Sequence, residues 1–239
     1  VSTLIWLVHP LNNQCINYTI QRSELLMGLF YLLVLYCVGC QGRKWQVGAV
    51  FFSFLGMASK EVMVTVPFVA LVYDAIFVSG SVVKSLWRRP WMYAGLAASW
   101  GLLATLLNTN PHGASVGYST STGAWDYALN QCWMLVEYLQ KSFWPHPLVL
   151  DYGPVRPLVL YDVMPQAVIV VSLLGAAVFF FLRSRPLGFA CCWSFFILAP
   201  TSSIVPLVNE IGADRRMYLP LLALVFLAVI GVYSVLQKI

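Results

Sequence analysis

The chain has 239 residues, of which 60% are hydrophobic and only 10% charged, and it carries a formal net charge of +5. A soluble domain averages about 25% charged residues, so this composition excludes a water-soluble globular protein. The basic residues are scattered over loops, with no basic block and no interleaving of bases with aromatics, which excludes a nucleic-acid partner.

In lipid only helices and closed barrels satisfy the backbone. The apolar runs here are too long and continuous for barrel strands, which alternate. The fold class expected is all-α, a polytopic transmembrane helix bundle. A span needs about 20 apolar residues. Residues 1–9 read as the tail of one span, and full spans are predicted near 24–41, 45–58, 62–79, 91–107, 165–182, 187–199 and 217–236, about seven plus one partial. The 45–58 and 187–199 spans are short, which suggests helices that stop below the surface beside a protein-lined cavity. The chain starts at Val1 inside an apolar segment, so it is expected to be a fragment with at least one end missing.

Letting the loops alternate places Arg43, Lys44, Lys84, Arg88, Arg89, Arg183, Arg185 and Lys238 on one side, with no acid in those loops. That side is expected to be cytoplasmic. The other side holds Arg22, Lys60, Lys141, Arg156, Arg215, Arg216 and every acid except Asp74, and function is expected there. Asp74, near the inner end of its span, is expected to mark the boundary or to pair with a cytoplasmic base.

Within the long outer loop, 108–124 is rich in Asn, Gly, Ser and Thr, and 145–164 is too rich in proline for regular helix. Between them, WDYALNQCWMLVEYLQKSFW (125–144) places Trp125, Leu129, Trp133 and Val136 on one face and Asp126, Asn130, Glu137 and Lys141 on another. That pattern predicts an amphipathic helix lying in the interface. No internal repeat and no second, soluble domain is visible, so 1–239 reads as one membrane domain.

The charges gather at the outer turns. Arg22 and Glu24 open one span, where Glu24 also suits the helix dipole. Lys60 and Glu61 occupy a very short turn. The stretch PTSSIVPLVNEIGADRRMYLP (200–220) carries Glu210, Asp214, Arg215 and Arg216 just before the last span. An arginine pair at a helix mouth fits an anionic headgroup, since guanidinium forks match phosphate. Equally, the arginines could pair with Glu210 and Asp214 in a solvated loop. His9 precedes Pro10 at a span end and reads as structural. The six cysteines show no framework, and Cys37, Cys40, Cys191 and Cys192 read as buried thiols. There is no phosphate-binding glycine loop, no HExxH, no GxSxG and no metal spacing. Any chemistry must come from carboxylates and bases brought together from separate turns.

Four segments, HPLNNQCINYTIQRSELL, GMASKEVMVTVPFVALVYD, EYLQKSFWPHPLVLDYG and APTSSIVPLVNEIGADRRMYLP, resemble the membrane part of the transmembrane-and-TPR protein O-mannosyltransferases and of bacterial TPR-bearing relatives. These belong to the GT-C class of glycosyltransferases that use polyprenyl-phosphate sugars. The resemblance runs in order along nearly the whole chain, and the SKE and DRRMYLP turns are its most specific parts.

The resemblance implies a partial GT-C-like transmembrane domain, with earlier spans, the first outer loop and a C-terminal TPR array lying outside it. It implies an inverting transfer of a sugar, mannose foremost, from a polyprenyl or dolichyl phosphate to a protein hydroxyl, on the luminal or periplasmic face of the endoplasmic reticulum or bacterial inner membrane. The catalytic base is expected upstream of residue 1, so the fragment should be inactive alone. Glu24, Glu61 and Glu210 are expected to support catalysis. Arg22, Lys60, Arg215 and Arg216 are expected at the donor phosphate and sugar, and Tyr138, Asp151 and Tyr152 at an acceptor or lipid entrance. The partners implied are membrane lipid, the lipid-linked donor and a protein acceptor. No tightly bound cofactor and no metal site are predicted, and assistance by a divalent metal is left open. Two other readings compete: a secondary transporter, for which the chain lacks inverted repeats, and an inactive membrane scaffold presenting the TPR array.

Overall fold

The computed structural model describes residues 1–109, 124–204 and 211–237. All its regular structure among those residues is helical. In chain order the α-helices are α1 (Ser2–Val8), α2 (Asn13–Asn17), α3 (Arg22–Gly39), α4 (Arg43–Ser59), α5 (Val66–Phe77), α6 (Val82–Arg88), α7 (Pro90–Thr109), α8 (Ala124–Phe143), α9 (Met164–Arg183), α10 (Arg185–Ala199) and α11 (Tyr218–Leu236).

Among the described residues three helices are long and apolar enough to cross a membrane: Thr19–Gly39, Leu160–Arg183 and Asp214–Leu236. A fourth span is possible if Glu61–Phe77 and Val82–Arg88, bent by 106° against each other, are counted together. Fewer helices therefore meet that standard than the seven expected. The physical reasons are local. Helix α4 has 17 residues and α10 has 15, or about 26 and 22 Å at 1.5 Å per residue, short of a hydrocarbon core of about 30 Å. Helix α7 has the length, but Trp91, Tyr93, Ser99, Trp100 and Asn108 dilute its apolar run. The segment expected as an inner loop, 80–90, instead contains α6, set off from α5 by the turn Ser79–Gly80–Ser81, where Gly80 takes φ +79°.

The chain divides into two compact units. One comprises 22–112. Its helices α3, α4, α5 and α7 pack around Tyr31, Val34, Met57, Met63, Val69 and Leu96, all fully or almost fully buried. Small residues let the backbones approach: Gly95 of α7 lies against Val50 of α4, and a Cβ there would stand 2.6 Å from a valine methyl. Four residues on, the Ser53 and Ser99 hydroxyls bond across the same helix pair at 2.9 Å, a pattern typical of helix packing in lipid.

The other unit comprises 1–21 and 113–239. Helices α9, α10 and α11 follow one another in contact, α8 packs on α9, and α1 packs on α11. Buried indoles tie the entry of α11: Trp6 Nε1 donates to the Tyr218 carbonyl at 2.7 Å and Trp193 Nε1 to the Leu219 carbonyl at 2.8 Å. Each ring buries its apolar body while its one N–H finds an acceptor.

Candidate functional site

The centre of the second-described unit is the turn that leads into α11. After α10 the chain makes a π turn over Pro200–Ile204, and it returns through Ile211, Gly212 and Ala213 to a 3-10 turn at Asp214–Met217. Ala213 is extended, with φ −153°. An extended buried strand has no partner of its own, so its polar backbone atoms need side-chain or loop partners. Helix α8 supplies most of them. Gln131 Nε2 donates to the Ile211 carbonyl at 2.9 Å, and the Ala213 N–H donates to the Tyr138 hydroxyl at 2.8 Å. The Tyr127 hydroxyl donates to the Thr201 carbonyl at 2.7 Å. From the other side, the Ile211 N–H donates to the Gly153 carbonyl at 3.1 Å.

Asp214 is fully buried. The Tyr152 hydroxyl donates to its Oδ1 at 2.8 Å, the Val149 N–H donates to its Oδ2 at 2.9 Å, and Lys141 Nζ lies 3.4 Å from both oxygens. Lys141 also bonds the Tyr152 hydroxyl and lies 3.8 Å from Glu137 one helical turn earlier. Burial, reinforced by the Asp214 carboxylate, holds the Tyr152 phenol well above its ordinary range of about 10, so Tyr152 serves as a neutral donor. The carboxylate that the sequence offers as an arginine partner is therefore engaged by Lys141, Tyr152 and a backbone N–H.

The helix at 125–144 forms where predicted, and polar residues share its buried side. Asn130 and Lys141 are buried, while Trp125 is exposed. Tyr127, Asn130, Gln131, Met134, Tyr138 and Lys141 recur at helical spacing and form the inward stripe. Most of their polar tips find partners, Gln131 Oε1 being an exception: Asn130 exchanges hydrogen bonds with the Arg156 backbone, donating at 2.9 Å and accepting at 3.2 Å. Polar groups satisfied in this way can be buried.

Arg215 and Arg216 follow directly and are half-buried. Arg216 Nη1 donates to the Thr201 carbonyl at 3.3 Å, and the Arg215 carbonyl accepts from Cys15 Sγ at 3.6 Å. The N-terminal turn closes this side. His9 accepts from the Leu11 N–H at Nδ1 (3.3 Å), which leaves Nε2 to donate to the Ser142 carbonyl at 3.1 Å. Burial lowers the His9 pKa below 6.5, opposed by the Ser142 bond. Gln14 Nε2 donates to the Val149 carbonyl at 2.7 Å.

Beside the turn, and lined by α8, α9, α10 and α11, is an apolar cavity of about 260 Å³. Tyr138, Val170, Ala177, Phe195, Met217 and Leu224 face it. Tyr138 and Tyr152 were expected at an open entrance. Both are buried with their hydroxyls engaged, so only the ring of Tyr138 meets the cavity. Asp151 is exposed and accepts from the Gly153 N–H at 2.9 Å. Glu210 lies outside the described residues.

The other expected residues belong to the unit 22–112. Glu24 is buried and forms an ion pair with Lys60, which stands at the C-terminal end of α4. Each side chain also complements its own helix dipole, an acid in the first turn of α3 and a base at the end of α4. The pairing thus crosses between two turns, from the start of α3 to the end of α4. Arg22 and Glu61 are exposed. Asp74, expected to mark a boundary or to pair with a base, has Arg89 at 3.9 Å and accepts from Tyr93 at 2.6 Å and from Ser79 at 2.8 Å; sequence reasoning missed the tyrosine and the serine. Among the described residues no group of three metal-binding side chains converges.

Neither protein-family models, nor curated proteins, nor solved structures yield a match to this chain.

Proposed function

We propose that this chain is the donor-binding membrane part of an inverting glycosyltransferase, which moves a sugar, mannose foremost, from a polyprenyl or dolichyl phosphate to a protein hydroxyl. The observation that carries the reading is the division of labour at 211–217. Asp214 is consumed in anchoring the turn, while Arg215 and Arg216 are half-buried and Met217, which follows them, lines an apolar cavity. An anionic head above an apolar tail is the chemistry such a site suits.

In the proposed reaction the acceptor oxygen attacks the anomeric carbon from the face opposite the phosphate. The bond from that carbon to the phosphate oxygen breaks, and its electron pair leaves with the lipid phosphate. The acceptor proton passes to a carboxylate supplied from outside the residues assigned here. An arginine fork that tightens on the phosphate oxygens as charge develops lowers the barrier. Consecutive residues at a helix start point about 100° apart, so one arginine contacts the phosphate and the other holds the turn.

The proposed topology has seven spans, with 42–44, 80–90 and 183–186 cytoplasmic and the turn at 200–216 luminal or periplasmic. Helix α8 then lies along the outer interface. Exposed Trp125 at its start and Phe143 and Trp144 at its end support that placement, because such rings favour the headgroup level.

The test is sugar transfer by the full-length protein carrying Arg215→Ala, Arg216→Ala or the corresponding lysine substitutions, at matched membrane expression. At least one alanine variant should lose turnover by about 10-fold or more, as expected for a charge-assisted bond worth about 1.5–3 kcal/mol. Lysine should retain part of the activity, keeping charge without the fork. Wild-type transfer by both alanine variants would rule out the turn as the phosphate site. For the topology, a cysteine placed at Ser81 should resist labelling from outside.

A further inference from the structure

The unit 22–112 contains three acids, Glu24, Glu61 and Asp74. Glu24 pairs with Lys60 beside Glu61, at the turn that follows α4. Asp74 is fully buried at the opposite end of that unit and is engaged by Tyr93, Ser79 and Arg89. Arg89 is itself buried and donates to the Val38 carbonyl near the end of α3 at 2.6 Å. That bond gathers the α3–α4 turn and the α6–α7 corner at one end of the unit. Four exposed cations lie there, Arg43, Lys44, Lys84 and Arg88, and among the described residues of the unit no exposed acid accompanies them.

Helix α6 sorts its side chains into three faces. Ser85 and the following Arg89 face the protein. Lys84 and Arg88, four residues apart, form a basic ridge. Val83 and Trp87 form an apolar ridge beside it, and Trp91, in the first turn of α7, is exposed next to the same corner. Trp87 is 82% exposed and Trp91 85%. The helix runs nearly perpendicular to the segment before it, at 106°. If α5 crosses the bilayer, α6 lies in its plane.

We propose that α6 is a surface-lying anchor for acidic phospholipid, with Trp87 and Trp91 inserted at headgroup level and Lys84 and Arg88 binding lipid phosphates and carboxylates. Indole rings settle at the interface, and each basic residue held near an acidic surface favours it by about fivefold. The Asp74–Arg89–Tyr93 network sets the corner that aims the helix. This inference concerns the membrane itself and stands whether or not the chain transfers sugar.

The experiment uses the full-length protein in lipid nanodiscs containing acyl-brominated phosphatidylserine or acyl-brominated phosphatidylcholine. Subtracting the fluorescence of Trp87→Phe from that of wild type isolates the Trp87 indole from every other one. The Trp87 signal should be quenched by both lipids, and several-fold more strongly by the acidic one at equal fraction. Salt should weaken that preference. In Lys84→Gln/Arg88→Gln the quenching should persist while the headgroup preference falls to parity. Both residues are exposed, so the double variant should fold. A Trp87 signal untouched by brominated lipid would overturn the placement. Equal quenching by the two headgroups in wild type, or a preference that survives the double substitution, would overturn the lipid assignment.

Discussion

Replacing Asp214 by alanine should do far more damage than replacing either of the arginines that follow it. The substitution takes from Lys141, which is 2% exposed, its buried carboxylate and leaves it only the partly exposed Glu137 at 3.8 Å. It also removes the acceptors of the Tyr152 hydroxyl and the Val149 N–H. Breaking one partner of a buried ion pair costs about 3–5 kcal/mol. Each orphaned buried donor adds about 1–3 kcal/mol when it cannot rehydrate, but these terms overlap because one relaxation can serve all three. A loss of about 4 kcal/mol is expected. At about 2–4 °C per kcal/mol for a chain of this size, the unfolding midpoint should fall by about 8–16 °C. Arg215→Ala and Arg216→Ala, at half-buried positions, should shift it by a quarter of that or less. The assay is thermal unfolding in detergent, followed by size-exclusion of the surviving folded fraction. A second comparison separates pairing from packing: Lys141→Met with Asp214→Leu should be more stable than Asp214→Leu alone, because no charge is then stranded. If Asp214→Ala unfolds within a degree or two of wild type, or the double variant is the worst of the set, the buried network is not what holds the turn.

Gly212→Ala should destabilise the same turn by about 1–3 kcal/mol. Its Cβ would stand 2.2 Å from Met134 Cε and 2.8 Å from the Tyr138 hydroxyl, and thermal unfolding with Gly231→Ala as the open-space control checks it. Acid should weaken the N-terminal turn. The folded His9 pKa lies below 6.5, so below that value the unfolded chain binds more protons and stability falls as pH drops, by at most about 1.4 kcal/mol per pH unit. His9→Gln should flatten that part of the unfolding profile. Asp74→Ala should cost about 3–5 kcal/mol by stranding Arg89, whereas Tyr93→Phe should cost about 1.5–3 kcal/mol for a bond to a carboxylate. Proteolysis in the 79–89 corner of both variants reports the loosening.

The helices were legible because lipid imposes one rule on long apolar runs, and the same runs located the charged turns between them. Partnership was not legible. Lys60 finds Glu24 across 36 residues of sequence and Lys141 finds Asp214 across 73, distances at which spacing carries no information. Which residues of α8 turn inward was illegible for a related reason. A polar residue counts as outward only until it meets a buried backbone atom, and that atom belongs to a segment whose extended path the sequence does not announce. Helix α6 escaped notice because seven residues are too few for a periodic signal and the preceding Ser–Gly–Ser reads as the start of a loop.

The way α8 holds the 211–214 segment has a consequence for how this protein can vary. Tyr127, Gln131 and Tyr138 bond main-chain atoms of Thr201, Ile211 and Ala213, and main-chain atoms are the same whatever residues carry them. The path of the turn is thus specified by a neighbouring helix, much as a jig holds a workpiece without regard to its finish. Substitutions at 215 and 216 can then sample new recognition chemistry on an unchanged backbone. A single-residue deletion within 128–137 is the opposite case: it would turn Tyr138 and Lys141 by about 100° relative to Tyr127 and release the turn at once. Divergence in this region should therefore accumulate as replacements at the mouth, with the length of the helix behind it kept constant.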